Sequence, residues 1–294
     1  MKKVLITGAN SYIGMSVENW LKRREQYEVD TVDMIDGSWR QKDFSKYDVV
    51  YHVAGLAHAD VGKVSEERKK FYYKINTDLA IETAKKAKEE RVKQFIFMSS
   101  MIIYGESGGF REKKVIKRST KPHPANFYGD SKWKADQGIQ KLADENFKVV
   151  IVRPPMIYGK NSKGNYPVLA KMARKFPIFP RVNNQRSMLY IENLCEFIRL
   201  VIDNEDSGIF FPQNKEYSHT SLLVGMIAES VGKKIVITKA LAPFVWLASM
   251  VPGKIGGLVN KAFGNLVYDK ELSIYPGGDY QIYSLKESIK STEC

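Results

Sequence analysis

The chain has 294 residues, of which 44% are hydrophobic and 27% charged, so it is long enough for one large globular domain or two lobes. Its net charge of +13 would suit a nucleic acid, an anionic membrane or a small anionic substrate. The basic residues are scattered along predicted helix faces without interleaved aromatic residues. We therefore interpret them mainly as solvated surface and expect no nucleic-acid partner.

Two cysteines, Cys195 and Cys294, exclude a disulfide framework and match no zinc-type spacing, so we expect no metal and a cytoplasmic location. We also expect no signal peptide, because the first residues lead directly into a strand. The longest apolar run, Leu241–Val251, is too short to span a bilayer. We expect it to form a buried helix rather than a membrane-surface face, although a weak peripheral membrane contact stays open.

The segment Lys3–Gly14, KVLITGANSYIG, predicts a buried strand, a glycine turn and the start of a helix. Amides at a helix N-terminus have no partner within the helix, and they favour a pyrophosphate there. Gly8 would make the tight turn, and Gly14 would let the helix pack closely on the strand. The segment therefore predicts a dinucleotide site, with an ordinary βα turn as the alternative.

A second strand, Tyr27–Val32, ends at Asp33, about twenty residues after the glycine turn. A carboxylate there can accept hydrogen bonds from both ribose hydroxyls and would repel a 2′-phosphate. Asp33 therefore favours NAD as the cofactor, with NADP less expected. Asp43 and Phe44 are further candidates, for contact with the adenine.

A third strand, Val49–Val53, is followed by small residues that let a cofactor approach the backbone closely, Ala54 and Gly55. Its histidine, His52, and the nearby His58 have no obvious catalytic partner. We predict that both histidines are structural.

The run Glu66–Arg91 is typical of an amphipathic helix, and the strand Phe95–Met98 follows it. This strand delivers Ser99 and Ser100 to the carboxyl edge of the sheet, where ligands bind in open α/β folds.

Tyr128 and Lys132 are spaced i, i+4 on a predicted helix, so both side chains project from one face. A tyrosine has an ordinary pKa near 10 and is a poor base at neutral pH. A neighbouring ammonium stabilises the phenolate, so we expect Lys132 to lower the pKa of Tyr128. A serine from another strand end would hold the substrate oxygen.

These motifs, with HVAG at 52–55, SSMIIYG at 99–105 and RPPMIYG at 153–159, resemble an extended short-chain dehydrogenase/reductase of the nucleotide-sugar epimerase/dehydratase group. The resemblance implies an α/β fold, a Rossmann-type doubly wound parallel sheet with a smaller C-terminal α/β substrate-binding lobe. It also implies that Ser100, Tyr128 and Lys132 form the catalytic trio. The implied cofactor-binding residues are Gly8, Asn10, Ser11, Tyr12, Ile13, Gly14, Asp33, Asp43, Phe44, Ala54, Gly55, Leu56, Asn76, Ser99, Tyr128, Lys132 and Pro154.

By the same resemblance, residues 1–160 form the dinucleotide-binding domain with the trio. Residues 161–294 form mostly the substrate lobe, with part of the chain returning to the first domain. Besides Ser100 and Tyr128, the substrate residues would be Asn165, Leu169 and Arg186. Arginine suits a diphosphate because its planar fork binds two oxygens at once; a surface ion pair is the alternative for Arg186.

Three departures from the family pattern bear on function. Ser11 stands where the phosphate loop usually has its middle glycine, and no arginine in the C-terminal region matches a second phosphate contact. Met101 and Ile102 replace the acidic pair of 4,6-dehydratases, so we expect no dehydratase activity.

The leading hypothesis is an NAD-dependent epimerase acting at C4 of a UDP-hexose or UDP-N-acetylhexosamine, for cell-surface polysaccharide precursors. The first alternative is an NAD(P)H-dependent 4-ketoreductase of a UDP-4-keto-6-deoxy sugar. The RPPMIYG motif resembles that of such reductases and favours this alternative. The second is a non-catalytic NAD(P)-binding sensor. A homodimer stays open.

Overall fold

A computed structural model describes residues 1–56, 64–108, 112–251 and 253–294. The described strands, in chain order, are β1 Lys2–Thr7, β2 Tyr27–Val32, β3 Val49–His52, β4 Gln94–Met98, β5 Lys114–Ile116, β6 Lys148–Val152, β7 Met156–Tyr158, β8 Ile178–Pro180, β9 Met188–Tyr190, β10 Gly208–Phe210, β11 Val236–Thr238 and β12 Leu266–Tyr268. The described α-helices are α1 Tyr12–Lys22, α2 Glu66–Tyr73, α3 Leu79–Glu89, α4 Phe127–Gln140, α5 Asn165–Lys175, α6 Ile191–Asp203, α7 Thr220–Ser230, α8 Ala242–Met250, α9 Lys254–Phe263 and α10 Leu285–Glu293.

A six-stranded parallel sheet forms the centre of the protein, in the order β10-β6-β4-β3-β1-β2. Val4, Leu5 and Ile6 of β1 are completely buried, as their continuous apolar run predicts for a strand covered on both faces. The strand order reverses between β1 and β3, and ligands bind at the carboxyl ends of strands near such a point. The predicted α/β fold with a doubly wound parallel sheet is therefore confirmed.

Three two-stranded parallel sheets lie outside the central sheet: β5 with β12, β7 with β9, and β8 with β11. The chain after residue 161 also contributes to the central sheet, because β10 pairs with β6. Lys2 at the start of β1 donates a hydrogen bond to the carbonyl of Ile202 in α6, 2.7 Å away. The domain boundary at residue 160 stays a prediction.

The predicted helix over Glu66–Arg91 is one helical run with a change of winding in the middle. α2 passes into a π-helical turn, Lys74–Asp78, which continues as α3. Asn76 and Thr77 lie in this turn and are buried. π-helical turns are rare and often occur at functional sites.

The prediction that Leu241–Val251 forms a buried helix is wrong. α8 forms there, but none of its residues is buried, and Phe244 is 68% exposed. Because apolar residues surround the helix axis, the sequence has no polar face that would predict which side of the helix faces solvent. In the structure, Val245 packs against the core. Among the described residues, no helix is long and apolar enough to cross a membrane.

Candidate active site

The loop between β1 and α1 has the shape required to admit a pyrophosphate. Gly8 has φ +87°, and a Cβ there would lie 2.9 Å from the backbone of Ala54. Asn10 follows in the left-handed region at φ 64°. Ser11 caps α1 by accepting a hydrogen bond from the Gly14 amide, 3.1 Å away. Its side chain thus satisfies one amide of the helix start, and the amides of the next two residues, Tyr12 and Ile13, have no acceptor within the helix.

The Tyr12 side chain leaves the loop towards Gly159. A Cβ on Gly159 would lie 2.7 Å from the Tyr12 hydroxyl oxygen. That hydroxyl is buried without a hydrogen-bond partner among the described residues. Ile191 of α6 lies against the same glycine, so this hydroxyl faces the packed core and not the open side of the loop.

Asp33 lies exposed at the end of β2, and one carboxylate oxygen accepts the amide of Ile35, 2.8 Å away. Its other oxygen accepts no hydrogen bond from the described residues, so the side chain can still accept from a ribose. Asp43 is exposed and accepts from the amide of Ser45. Phe44 is fully buried in the core, so its side chain does not face a ligand.

The end of β3 is held by the π-helical turn. Asn76 accepts the amide of Leu56 at 2.8 Å and donates to the Leu56 carbonyl at 3.2 Å. A Cβ on Gly55 would lie 3.0 Å from the Asn76 side-chain oxygen and 3.2 Å from Lys132 Nζ. Asn76 therefore fixes the backbone at 55–56, and Gly55 leaves room for the lysine.

His52 is structural, as predicted. Its ring is completely buried, bonded to the Thr7 hydroxyl at 2.8 Å and stacked on Phe95 and Phe97. Burial lowers the pKa of His52 to about 3, with the nearby Lys132 charge adding to the effect. The imidazole is therefore neutral at physiological pH. His58 lies outside the described residues.

Ser100 and Tyr128 come from different elements that pack against each other. Ser100 ends the segment after β4, and its hydroxyl accepts the amide of Ile102 at 3.2 Å. A Cβ on Gly129, the residue after Tyr128, would lie 3.0 Å from the Ile102 carbonyl. The start of α4 therefore contacts the turn that follows Ser100.

Lys132 lies one helical turn beyond Tyr128 and is buried. Its ammonium donates to the Met98 carbonyl at 3.0 Å. Burial lowers the pKa of Lys132 to about 8, although the Asp136 carboxylate acts to raise it. Burial, with a smaller effect of Tyr72, raises the pKa of Tyr128 to about 12. The expected lowering of the Tyr128 pKa is therefore wrong, because desolvation of the phenolate dominates.

A buried ion pair lies beneath the trio, and sequence reasoning missed it. Arg153 at the end of β6 donates to both oxygens of Asp136, each 2.9 Å away, and to the Tyr104 hydroxyl. Asp136 also accepts from the Ser99 hydroxyl at 2.7 Å. Two sequence features point to these residues: Asp136 is spaced i+4 from Lys132 on α4, and Arg153 is the first residue of the RPPMIYG motif.

The remaining candidates differ in position. Pro154 is buried, and its carbonyl accepts the Met101 amide at 2.8 Å. Asn165 is half-buried in the first turn of α5, whereas Leu169 packs in the core.

Arg186 lies just before β9 and donates a hydrogen bond to the Lys261 carbonyl. Desolvation lowers the pKa of its guanidinium. Arg186 is half-buried, and no carboxylate of the described part of the chain pairs with it, so its guanidinium is available to an anionic ligand. The ligand contacts of Asn165, Leu169 and Arg186 stay predictions.

No group of three or more His, Cys, Asp or Glu within the described ranges could hold a metal ion. The candidate site consists of a glycine turn at the start of α1, an acidic residue at the end of β2, and a serine, tyrosine and lysine at the carboxyl edge of the sheet. This arrangement is typical of a Rossmann-type dinucleotide site.

The model of the NAD dependent epimerase/dehydratase family matches residues 4–211. The chain belongs to this family, and NAD is the family's cofactor. A UDP-glucose 4-epimerase of Vibrio cholerae is 28% identical over 99% of this chain and 94% of its own length. An N-acetyl-α-D-glucosaminyl-diphospho-ditrans,octacis-undecaprenol 4-epimerase of Escherichia coli O157:H7 is 27% identical over 79% of this chain and 73% of its own. The UDP-glucuronic acid 4-epimerase of Bacillus cereus, solved with NAD, superposes with a TM-score of 0.72 at 18% identity, covering 99% and 95% of the two chains.

Replacing Asp136 by alanine should lower the free energy of unfolding by about 3–5 kcal/mol, because Arg153 would stay buried without its partner. Urea unfolding followed by tryptophan fluorescence measures the loss. Glu66→Gln, which breaks the exposed Lys69–Glu66 pair, is the control and should cost about 0–1 kcal/mol. A loss of similar size in both variants would contradict the role given to the buried pair.

Asp33→Ala should weaken NAD binding by about 10–100-fold, because hydrogen bonds from the ribose to a charged acceptor are lost. Binding of NADP should weaken less or improve, because the repelling charge is gone. Asp36→Ala is the control, since Asp36 is an exposed carboxylate in the same loop that accepts from Ser38. Calorimetric titration measures both affinities, and equal affinity of the parent protein for NAD and NADP would refute the assignment.

Proposed function

We propose that the chain is a C4 epimerase of a UDP-hexose or UDP-N-acetylhexosamine that serves cell-surface polysaccharide synthesis. The observation that carries this proposal is the packing of Tyr128 and the buried Lys132 on one helix against the turn after Ser100. The side chains of Ser100, Tyr128 and Lys132 lie at one edge of the sheet, beside the glycine loop that would bind the dinucleotide. Such an arrangement suits a reaction that removes hydrogen from an alcohol carbon and later returns it.

Each residue of the trio has a distinct task in this proposal. The Tyr128 hydroxyl oxygen takes the proton from the sugar's C4 hydroxyl and later returns it. Lys132 keeps a positive charge near the phenolate, and the Asp136 carboxylate favours its protonated form. Ser100 holds the C4 oxygen in both orientations of the sugar. NAD, when bound, supplies the hydride acceptor and donor at C4 and a positive charge that favours the phenolate.

Residues of the loop and of β2 would hold NAD: the amides that follow Ser11 on the pyrophosphate, and Asp33 on the ribose. The fit rests on the close approach of Gly8 to Ala54 and on the amides of Tyr12 and Ile13, which have no acceptor within the helix. Burial makes Tyr128 a weak acid in the ligand-free chain. Proton transfer should therefore begin only when ligands complete the site.

Arg186 would bind the diphosphate of the substrate, because it is a half-buried guanidinium without a carboxylate partner in the described segments. A diphosphate is common to the substrates named for both relatives, whether carried by a nucleoside or by undecaprenol. The Vibrio cholerae relative covers almost the whole chain, and this favours UDP as the carrier. We also propose that the protein forms a homodimer and is located in the cytoplasm.

Tyr128→Phe should bind NAD and UDP-sugar nearly as the parent does, yet lose about 10²–10⁴-fold in turnover, since the proton carrier is removed. Tyr72→Phe is the matched control, because the Tyr72 ring lies edge-on 6.2 Å from that of Tyr128. The measurement is the initial rate of interconversion of UDP-glucose and UDP-galactose, and of their N-acetyl forms. A Tyr128→Phe variant with the parental rate would show that the base lies elsewhere.

Protein purified without added nucleotide should carry bound NAD, because an epimerase regenerates its cofactor within each cycle and gains nothing by releasing it. Denaturation and chromatography of the released nucleotide measure the occupancy. The same preparation should interconvert its UDP-sugar pair without added cofactor. Nucleotide-free protein that consumes NADH in proportion to a 4-keto sugar, and leaves UDP-hexoses unchanged, would establish the 4-ketoreductase instead.

A further inference from the structure

The hairpin formed by α8 and α9 displays a row of apolar side chains to solvent. Phe244, Leu247 and Val251 are 68%, 55% and 44% exposed. Phe244 and Leu247 are three residues apart and so lie on one side of α8, and Val251 directly follows the helix. Met250 and Leu258, 60% and 67% exposed, extend the exposed apolar surface of the hairpin.

The hairpin is attached to the protein by its other side. Val245 of α8 and Val259 and Ala262 of α9 pack against the core. The Asn260 side chain donates to the Ser249 carbonyl at 3.3 Å and so joins the two helices. The apolar row is therefore held outward by a packed structure and is not a frayed end.

The chain segment that contains the hairpin carries charge of one sign. The segment from residue 231 to residue 268 contains no acidic residue and five lysines: Lys233, Lys234, Lys239, Lys254 and Lys261. Among these, Lys234, Lys239 and Lys261 are exposed. An apolar row beside lysines is typical of a helix that lies in the boundary of an anionic bilayer.

We propose that the hairpin docks the protein onto an anionic lipid bilayer. A second copy fits less well, because a two-fold interface through this face would bring like charges together. The helices, of 9 and 10 residues, are far shorter than the roughly 20 needed to span the hydrocarbon core. The hairpin therefore lies along the surface, with Phe244 and Leu247 among the acyl chains and the lysines at the phosphates.

The docked face adjoins the candidate substrate site. Arg186, the proposed diphosphate ligand, donates to the Lys261 carbonyl in the last turn of α9. The Ser107 hydroxyl donates to the Asn260 carbonyl at 3.3 Å. The docking does not depend on the proposed reaction, but it brings that site close to the lipid surface.

Sedimentation with vesicles tests the proposal on the full chain. The parent should bind vesicles of phosphatidylglycerol and phosphatidylcholine and bind phosphatidylcholine alone much less. The double variant Phe244→Asn, Leu247→Asn should lose about tenfold or more in partition coefficient, because two large apolar side chains no longer enter the bilayer. Lys239→Gln with Lys261→Gln should lose about fivefold for each lysine and only on anionic vesicles.

The control is Ile35→Asn with Ile274→Asn, since these side chains are 91% and 73% exposed away from the hairpin. This control should bind vesicles as the parent does, and all variants should keep the parental circular dichroism spectrum. The proposal is overturned if the parent stays in solution with anionic vesicles or if the control loses as much binding as the hairpin variant. Self-association that increases with concentration and is lost in the hairpin variant, without vesicle binding, would assign the face to a second copy instead.

Discussion

The ion pair between Asp136 and Arg153 joins the elements from which the candidate active site is built. Asp136 belongs to the helix that carries Tyr128 and Lys132, and Arg153 follows the neighbouring strand β6. The pair also holds the Ser99 hydroxyl and the Tyr104 hydroxyl, on either side of Ser100. Two buried charges are tolerated because every contact is short and both carboxylate oxygens are used. The relative position of Ser100 and the α4 pair therefore depends on one satisfied polar cluster.

The same burial sets the protonation of the site. Lys132 is removed from water but has the Met98 carbonyl as acceptor and a carboxylate one helical turn away. Tyr128 has no such partner for its phenolate among the described residues, and its pKa is raised to about 12 by burial. The proposed reaction therefore requires the positive charge of the bound cofactor, together with Lys132, to favour the phenolate.

Much of the fold could be predicted because the relevant signals are local. The run Val4–Ile6 and the glycine turn after it specify β1 and α1, and the segment Tyr27–Val32 is the strand β2 as predicted. The sequence also identified the spacing of Tyr128 and Lys132 on one helix. The positions of Asp136 and Arg153 within recognisable motifs were visible in the sequence, but their pairing was not, because it depends on how α4 packs beside β6. The raised pKa of Tyr128 was not predictable either, because it depends on packing around the ring. The exposed hairpin was misinterpreted because an all-apolar helix gives no sign of which neighbours will cover it.

The transfer of hydrogen at C4 tests the central claim most directly. UDP-glucose carrying deuterium at C4 is incubated with the purified protein and an excess of unlabelled NADH, and the product is followed by nuclear magnetic resonance. A C4 epimerase with retained cofactor should give UDP-galactose with the deuterium still at C4. The N-acetylated pair, labelled in the same way, covers the second proposed substrate. Loss of the label to the added NADH, or no conversion of either pair, would contradict the account.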